Sequence, residues 1–144
     1  MATYQFSATT SKDPAEVLGF FADMTNAASW DPSIVAVERL DRGAVTTDSA
    51  FRLTIAMSGR TLTLTYRVAV LEPGRRLVLR AKGSWYVSED TVILTARGDG
   101  VTEVRYEARL AGRGPTRLLE PLFQRAIDQI GETAGTKLRA TYFS

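Results

Sequence analysis

The 144 residues include no histidine and no cysteine, set 18 cations against 16 anions, and are 44% hydrophobic. A chain of this size can bury about two-thirds of its unfolded surface, which is enough for one domain, residues 1 to 144, with a core and room for a cavity. Disulfides and thiol nucleophiles are excluded, zinc and non-haem iron lose their usual ligands, and a net charge of +2 is too balanced to point to nucleic acid; neither metal nor cofactor is expected.

The opening "MATYQFSATT" alternates like a strand, with Tyr4 and Phe6 on one face. It lacks the basic start, apolar run and cleavage site of a secretory signal, and no later window approaches 18 apolar residues. The expectation is a cytoplasmic protein without a transmembrane segment. "SKDPAEVLGFFADM" then carries helix-start chemistry. Asp13 is a good N-cap, Pro14 suits the first helical position, and Glu16 stands three residues after the cap. Val17, Leu18, Phe21 and Met24 share one helical face. A second short helix is expected over Asn26 to Ser29. It must stop near Trp30, because Pro32 pushes Asp31 out of the helical region.

From Ile34 to Leu110 the period changes to two. Phe51, Leu53, Ile55 and Met57 share one face of "FRLTIAM". Leu62, Leu64, Tyr66, Val68 and Val70 share one face of "TLTLTYRVAV". Leu77, Leu79 and Ala81 follow in "LVLRAK", and Val104, Tyr106, Ala108 and Leu110 in "TEVRYEARL". Such alternation describes an antiparallel sheet with one dry and one wet face. "MSGR", "EPGRR" and "RGDG" are the turns between strands. In "TVILTA" the inward residues are taken as Val92 and Leu94. Glu89 and Asp90 are neighbours, so they point to opposite faces, and a solvated edge is expected for them. The outward arginines Arg52, Arg67, Arg80 and Arg105, with Glu103 and Glu107 interleaved, read as a solvated face.

The chain closes with "GPTRLLEPLFQRAIDQIGETAGTKLRATYF". Leu119, Leu122, Phe123, Ala126, Ile127, Ile130, Ala134 and Leu138 form an apolar stripe at helical spacing. Pro121 fits only the start of a helix, so the main helix begins there after a looser turn from Pro115 to Glu120. No internal repeat or low-complexity stretch interrupts this order.

A bent sheet with a dry face needs a cover, and the long C-terminal helix is the natural one. Four stretches carry a resemblance at this point: "DPAEVLGFFADMTNAASWDPSIVAVERL", "LEPGRRLVLR", "GDGVTEVRYEARL" and "RLLEPLFQRAI". In their order and spacing they resemble the START-like, helix-grip superfamily, in particular its polyketide cyclase/dehydrase and lipid-transport branch. The resemblance implies an α+β fold in which a curved antiparallel sheet of about seven strands wraps a long C-terminal helix, with two short helices after the first strand. It also implies an interior cavity for a hydrophobic or aromatic small molecule, without implying catalysis.

The wall of that cavity is expected to include Trp30, Phe51, Met57, Tyr66, Trp85, Tyr106, Ile127 and Gly131. Trp30 suits both a structural plug and a cavity wall. The hydroxyls of Tyr66 and Tyr106 need partners, which a ligand carbonyl or a water could supply. Trp85 and Tyr86 stand beside a hairpin turn, able to cap the cavity mouth or to fold back on the core. Gly131 leaves space above the sheet. Candidates for proton transfer are Asp31, Tyr66 and Tyr106. Three readings remain open: a carrier or sensor of a hydrophobic molecule, a polyketide cyclase/dehydratase-type enzyme, and a protein-interaction module. The first leads, because the dry face is rich in Leu, Val and Ile and poor in acid–base groups. Oligomeric state, monomer or dimer, is left open.

Overall fold

A computed structural model describes residues 1–57 and 59–143. Strand β1 (Ala2–Thr10) leads into helix α1 (Pro14–Ala22) and a short 3-10 helix (Met24–Ser29). Six strands follow: β2 (Ile34–Arg39), β3 (Ala50–Met57), β4 (Arg60–Glu72), β5 (Arg76–Lys82), β6 (Tyr86–Ala96) and β7 (Thr102–Gly112). A second 3-10 turn (Gly114–Leu119) runs into α2 (Glu120–Ala140).

The local chemistry explains these boundaries. Asp13 caps α1 by accepting a hydrogen bond from the Ala15 N–H at 3.2 Å, with Pro14 at the first helical position. Asp23 ends α1 and caps the 3-10 helix in turn, accepting from the Thr25 N–H. Pro121 sits in the first turn of α2, where no backbone donor is missed. The β4–β5 turn uses Gly74 at φ +69°, a conformation costly for any residue with a Cβ. The expected "MSGR" turn includes Ser58, which lies outside the described residues.

All seven strands form one antiparallel sheet in the order β1-β7-β6-β5-β4-β3-β2. The first strand therefore pairs with the last, setting Phe6 opposite Tyr106. Register shifts at Val68/Val70 in β4 and Ile34/Ala36 in β2 help the sheet curl, since a bulge bends its strand and tightens its twist. Helix α2 lies on β1 and β7, α1 packs on β5 and β6, and the first 3-10 helix packs on β2. The Gln124 amide on α2 also reaches the free edge of β1. It accepts from the Thr3 N–H at 2.9 Å and donates to the Thr3 carbonyl at 2.8 Å. Arg139 donates to the Ser7 carbonyl on the same edge.

The core lies between the concave face and these helices. Phe51, Leu18, Leu77, Leu138, Val17, Val68, Val92 and Val104 are fully buried. Each such side chain contributes roughly 1.5–3 kcal/mol relative to exposure. Val92 and Leu94 face inward, and Ile93 is outside. The outward arginines stand in solvent, with Arg52 near Glu38 and Arg80 near Glu89.

The apolar stripe of α2 needs correction. Its buried part is Ile127, Gly131, Ala134, Gly135 and Leu138. Leu119 and Leu122 keep 44% and 57% of their surface, and Leu118 on the preceding turn keeps 85%. Leu122 stands about 180° around the helix from Gly131, on the solvent side with Gln129 and Thr133, and Leu119 belongs to the 3-10 turn that precedes the helix. Only from Phe123 onward does the stripe meet the core.

Candidate functional site

Between the sheet, α2 and the short helices lies a cavity of about 100 Å³. Every layer contributes to its wall: Phe6 from β1, Phe21 from α1, Leu53 and Ile55 from β3, Leu64 from β4, and Ile127 from α2. Ile34, Met57 and Ile130 also line it and keep part of their own surface.

Most of the wall is apolar, but one region is not. Asp31, Ser33, Tyr66, Ser88, Asp90 and Tyr106 all reach the cavity. Period-two alternation puts Tyr86, Ser88, Asp90, Val92 and Leu94 on the concave face of β6. Tyr106 donates to Asp90 Oδ2 at 2.5 Å, and the hydroxyls of Tyr66 and Ser88 bond each other at 2.6 Å. Asp31 Oδ1 accepts from the Ser33 N–H at 2.9 Å and from its hydroxyl at 2.7 Å. The turn that Asp31-Pro32-Ser33 makes after the 3-10 helix thus presents a carboxylate to the interior.

Burial dominates the electrostatics. It pushes the Asp90 carboxyl up to about 7 against the pull of the Tyr106 hydrogen bond, and the charges of Asp31 and Glu89 add to the rise. Burial also raises Asp31, opposed by its two hydrogen bonds from Ser33. Tyr66 and Tyr106 are held well above the ordinary phenol value, again chiefly by burial and then by the charge of Asp90. A carboxyl with this balance can donate a hydrogen bond to a ligand oxygen when protonated and accept a proton when ionised. Among the described residues no group of three or more acidic side chains converges as a metal site; Asp31 and Asp90 are the carboxylates on the cavity wall.

Of the residues expected at the site, Trp30, Met57, Tyr66, Tyr106, Ile127 and Gly131 line the cavity, as does Asp31. Trp30 serves as plug and wall together. Its ring meets Phe21 edge-on at 5.7 Å and Tyr106 at 5.5 Å, while Phe6 stacks on Tyr106 at 5.3 Å. Phe51 does not line the cavity: it is wholly buried near the start of β3, with the Arg39 guanidinium over its ring. Trp85 lies outside the wall as well. It folds back against Tyr86 and Phe123, and its carbonyl accepts from Arg113 and Thr116.

Gly131 does not leave empty space. A Cβ there would stand 2.2 Å from the Tyr4 ring, so the missing side chain is a notch that Tyr4 fills. The tyrosine hydroxyls expected to seek a ligand already have protein partners in Ser88 and Asp90. The residue missed is Asp90. It is not a solvated edge residue: the alternation that turns Val92 and Leu94 inward turns Asp90 inward too.

Seven antiparallel strands curled around a long C-terminal helix, with short helices closing one end, define a helix-grip fold. The chain belongs to the family described as polyketide cyclase / dehydrase and lipid transport, which matches residues 1–142. Similar solved structures share the fold at low identity. The Zhui aromatase/cyclase from Streptomyces sp. R1128 has a TM-score of 0.71 at 15% identity, over 95% of this chain and 93% of that one. A STAR-related lipid transfer protein fragment from Xanthomonas axonopodis also reaches 0.71, at 14% identity over 96% and 84%. A START superfamily protein from Mycobacterium smegmatis reaches 0.70 at 11% identity over 98% and 100%. No curated protein matches the chain.

Proposed function

We propose that this protein binds an apolar, ring-bearing small molecule in the cavity and acts as its carrier or sensor. The observation that carries this reading is the wall itself: aliphatic and aromatic over most of its area, with polar groups gathered in one region. Small-molecule sites have that composition, the apolar part giving affinity and the polar part orientation. Volume bounds the occupant. An engineered apolar cavity of about 150 Å³ takes benzene, so about 100 Å³ matches no more than one ring unless the wall moves. Family membership and the aromatase/cyclase and lipid transfer neighbours support the same class of occupant.

The test is titration with p-cresol, followed by amide chemical shifts. Saturable shifts centred on Leu64, Tyr66, Tyr106 and Ile127 are expected. Shifts confined to the outer face, or none at millimolar ligand, would overturn the reading.

A specific pair favours a second reading, an acid–base enzyme of the cyclase/dehydratase type. Asp90, with a value of about 7 and a Tyr106 hydrogen bond, is equipped to exchange a proton with a bound substrate near neutral pH. Such an enzyme would show a rate limb near that pH, absent from Asp90→Asn.

A further inference from the structure

We infer that the occupant of this cavity is a cation: a small organic ammonium, its charge on Asp31 and Asp90 and its apolar body against the aromatic wall. The inference rests on the cavity being a ligand site, and it names the chemical class of the ligand.

The first ground is charge that the fold leaves uncompensated. On the surface, Glu38, Asp41, Glu72, Glu89, Glu103, Glu107 and Glu120 each have a cationic partner, and acids without one among the described residues, such as Glu16, Asp99 and Asp128, stand in water. Asp31 and Asp90, set into the interior, have none among the described residues. Among the described residues no lysine or arginine lines the cavity, although the chain has 18 cations. Buried carboxylates are ordinarily paired, because an isolated charge out of water is costly.

The second ground is hydrogen-bonding capacity. Asp90 uses Oδ2 for Tyr106, and Asp31 uses Oδ1 for both bonds from Ser33. The other oxygen of each carboxylate has no protein donor among the described residues. Among the described residues no side-chain nitrogen or oxygen is both shut off from solvent and unbonded. These two oxygens are therefore open, and both residues line the cavity. An ammonium offers up to three N–H donors to such acceptors.

The third ground is the aromatic wall. Phe6, Phe21, Trp30 and Tyr106 pack around the same space, and π-faces attract cations most strongly where water is excluded. A hard divalent ion fits less well. It asks for six or more oxygen ligands, and this wall is mostly carbon.

The test compares benzylamine with benzyl alcohol, a neutral molecule of nearly the same shape, by calorimetry at about pH 8, where the amine is charged. At least tenfold tighter binding of the amine is expected. Asp90→Asn should shrink the amine's advantage over the alcohol, Asp31→Asn should shrink it likewise, and the double variant should remove it. Equal or tighter binding of the alcohol in the wild type would overturn the inference and leave the apolar-ligand reading standing. Failure of both to bind at millimolar concentration would overturn the two together. Displacement of benzylamine by calcium chloride at matched ionic strength would assign the carboxylates to a metal ion instead.

Discussion

Replacing Asp90 by asparagine removes an ionisable group from the cavity wall with almost no change of shape. The ordinary aspartate value is about 3.9, and burial lifts the folded value to about 7. The folded state therefore holds a proton that the unfolded chain has released. The stabilisation this gives is complete below about pH 4 and is lost as pH rises through 7. Each pH unit in that window is worth about 1.36 kcal/mol, so the upper limit of the loss is roughly 4 kcal/mol. Water entering the cavity screens the charge and reduces the figure. Asparagine can still accept from the Tyr106 hydroxyl and carries no charge at any pH. Urea unfolding of wild type and Asp90→Asn between about pH 5 and 8.5 reads the difference, in which the titrating groups that do not interact with Asp90 cancel. The variant's advantage should grow with pH, by roughly 2–3 kcal/mol from pH 5 to 8. A difference that does not change with pH would show that the Asp90 carboxyl is not held out of water, and the account of the site would fail with it.

Gly131→Ala places a Cβ 2.2 Å from the Tyr4 ring, and a cost of about 1–3 kcal/mol is expected in thermal unfolding. Pairing it with Tyr4→Ala should make the glycine substitution nearly harmless, which a double-mutant cycle would measure. Leu122→Asp, at a position 57% exposed, should change stability by no more than about 0.5 kcal/mol; a variant that fails to fold would mean this end of α2 is buried.

Much of the fold can be read in the alternation of the strands, because a sheet with one dry face repeats the same physical demand every second residue. Val92 and Leu94 show this: a short apolar run, ambiguous alone, takes its phase from its flanks. Asp90 shows where the reading stops. Its phase is the same, yet a carboxyl argues for solvent, and in the folded sheet the phase prevails over the polarity. Such a conflict between pattern and polarity marks a place where stability is given up for something else. Gly131 illustrates a different limit. Its partner is Tyr4, near the opposite end of the sequence, and helical spacing holds no information about a ring arriving from another strand. Leu122 shows that a broad apolar stripe can run past the buried face, since it lies on the side of the solvated Gln129 and Thr133, while Leu119 falls in the 3-10 turn before α2.

The Gln124 amide on β1 has a consequence for how the protein fails. A sheet that is not closed into a barrel has two free edges, and β1 is one of them. With its paired acceptor and donor, Gln124 imitates a single residue of a neighbouring strand. Arg139 occupies another acceptor further along. Helix α2 is thus a guard on an adhesive edge as well as the lid of a cavity. Should it detach, the molecule would expose its apolar interior and an unpaired strand in the same event, and copies in that state could add to one another edge to edge. Conditions that loosen α2 are then the ones in which to look for aggregation before global unfolding.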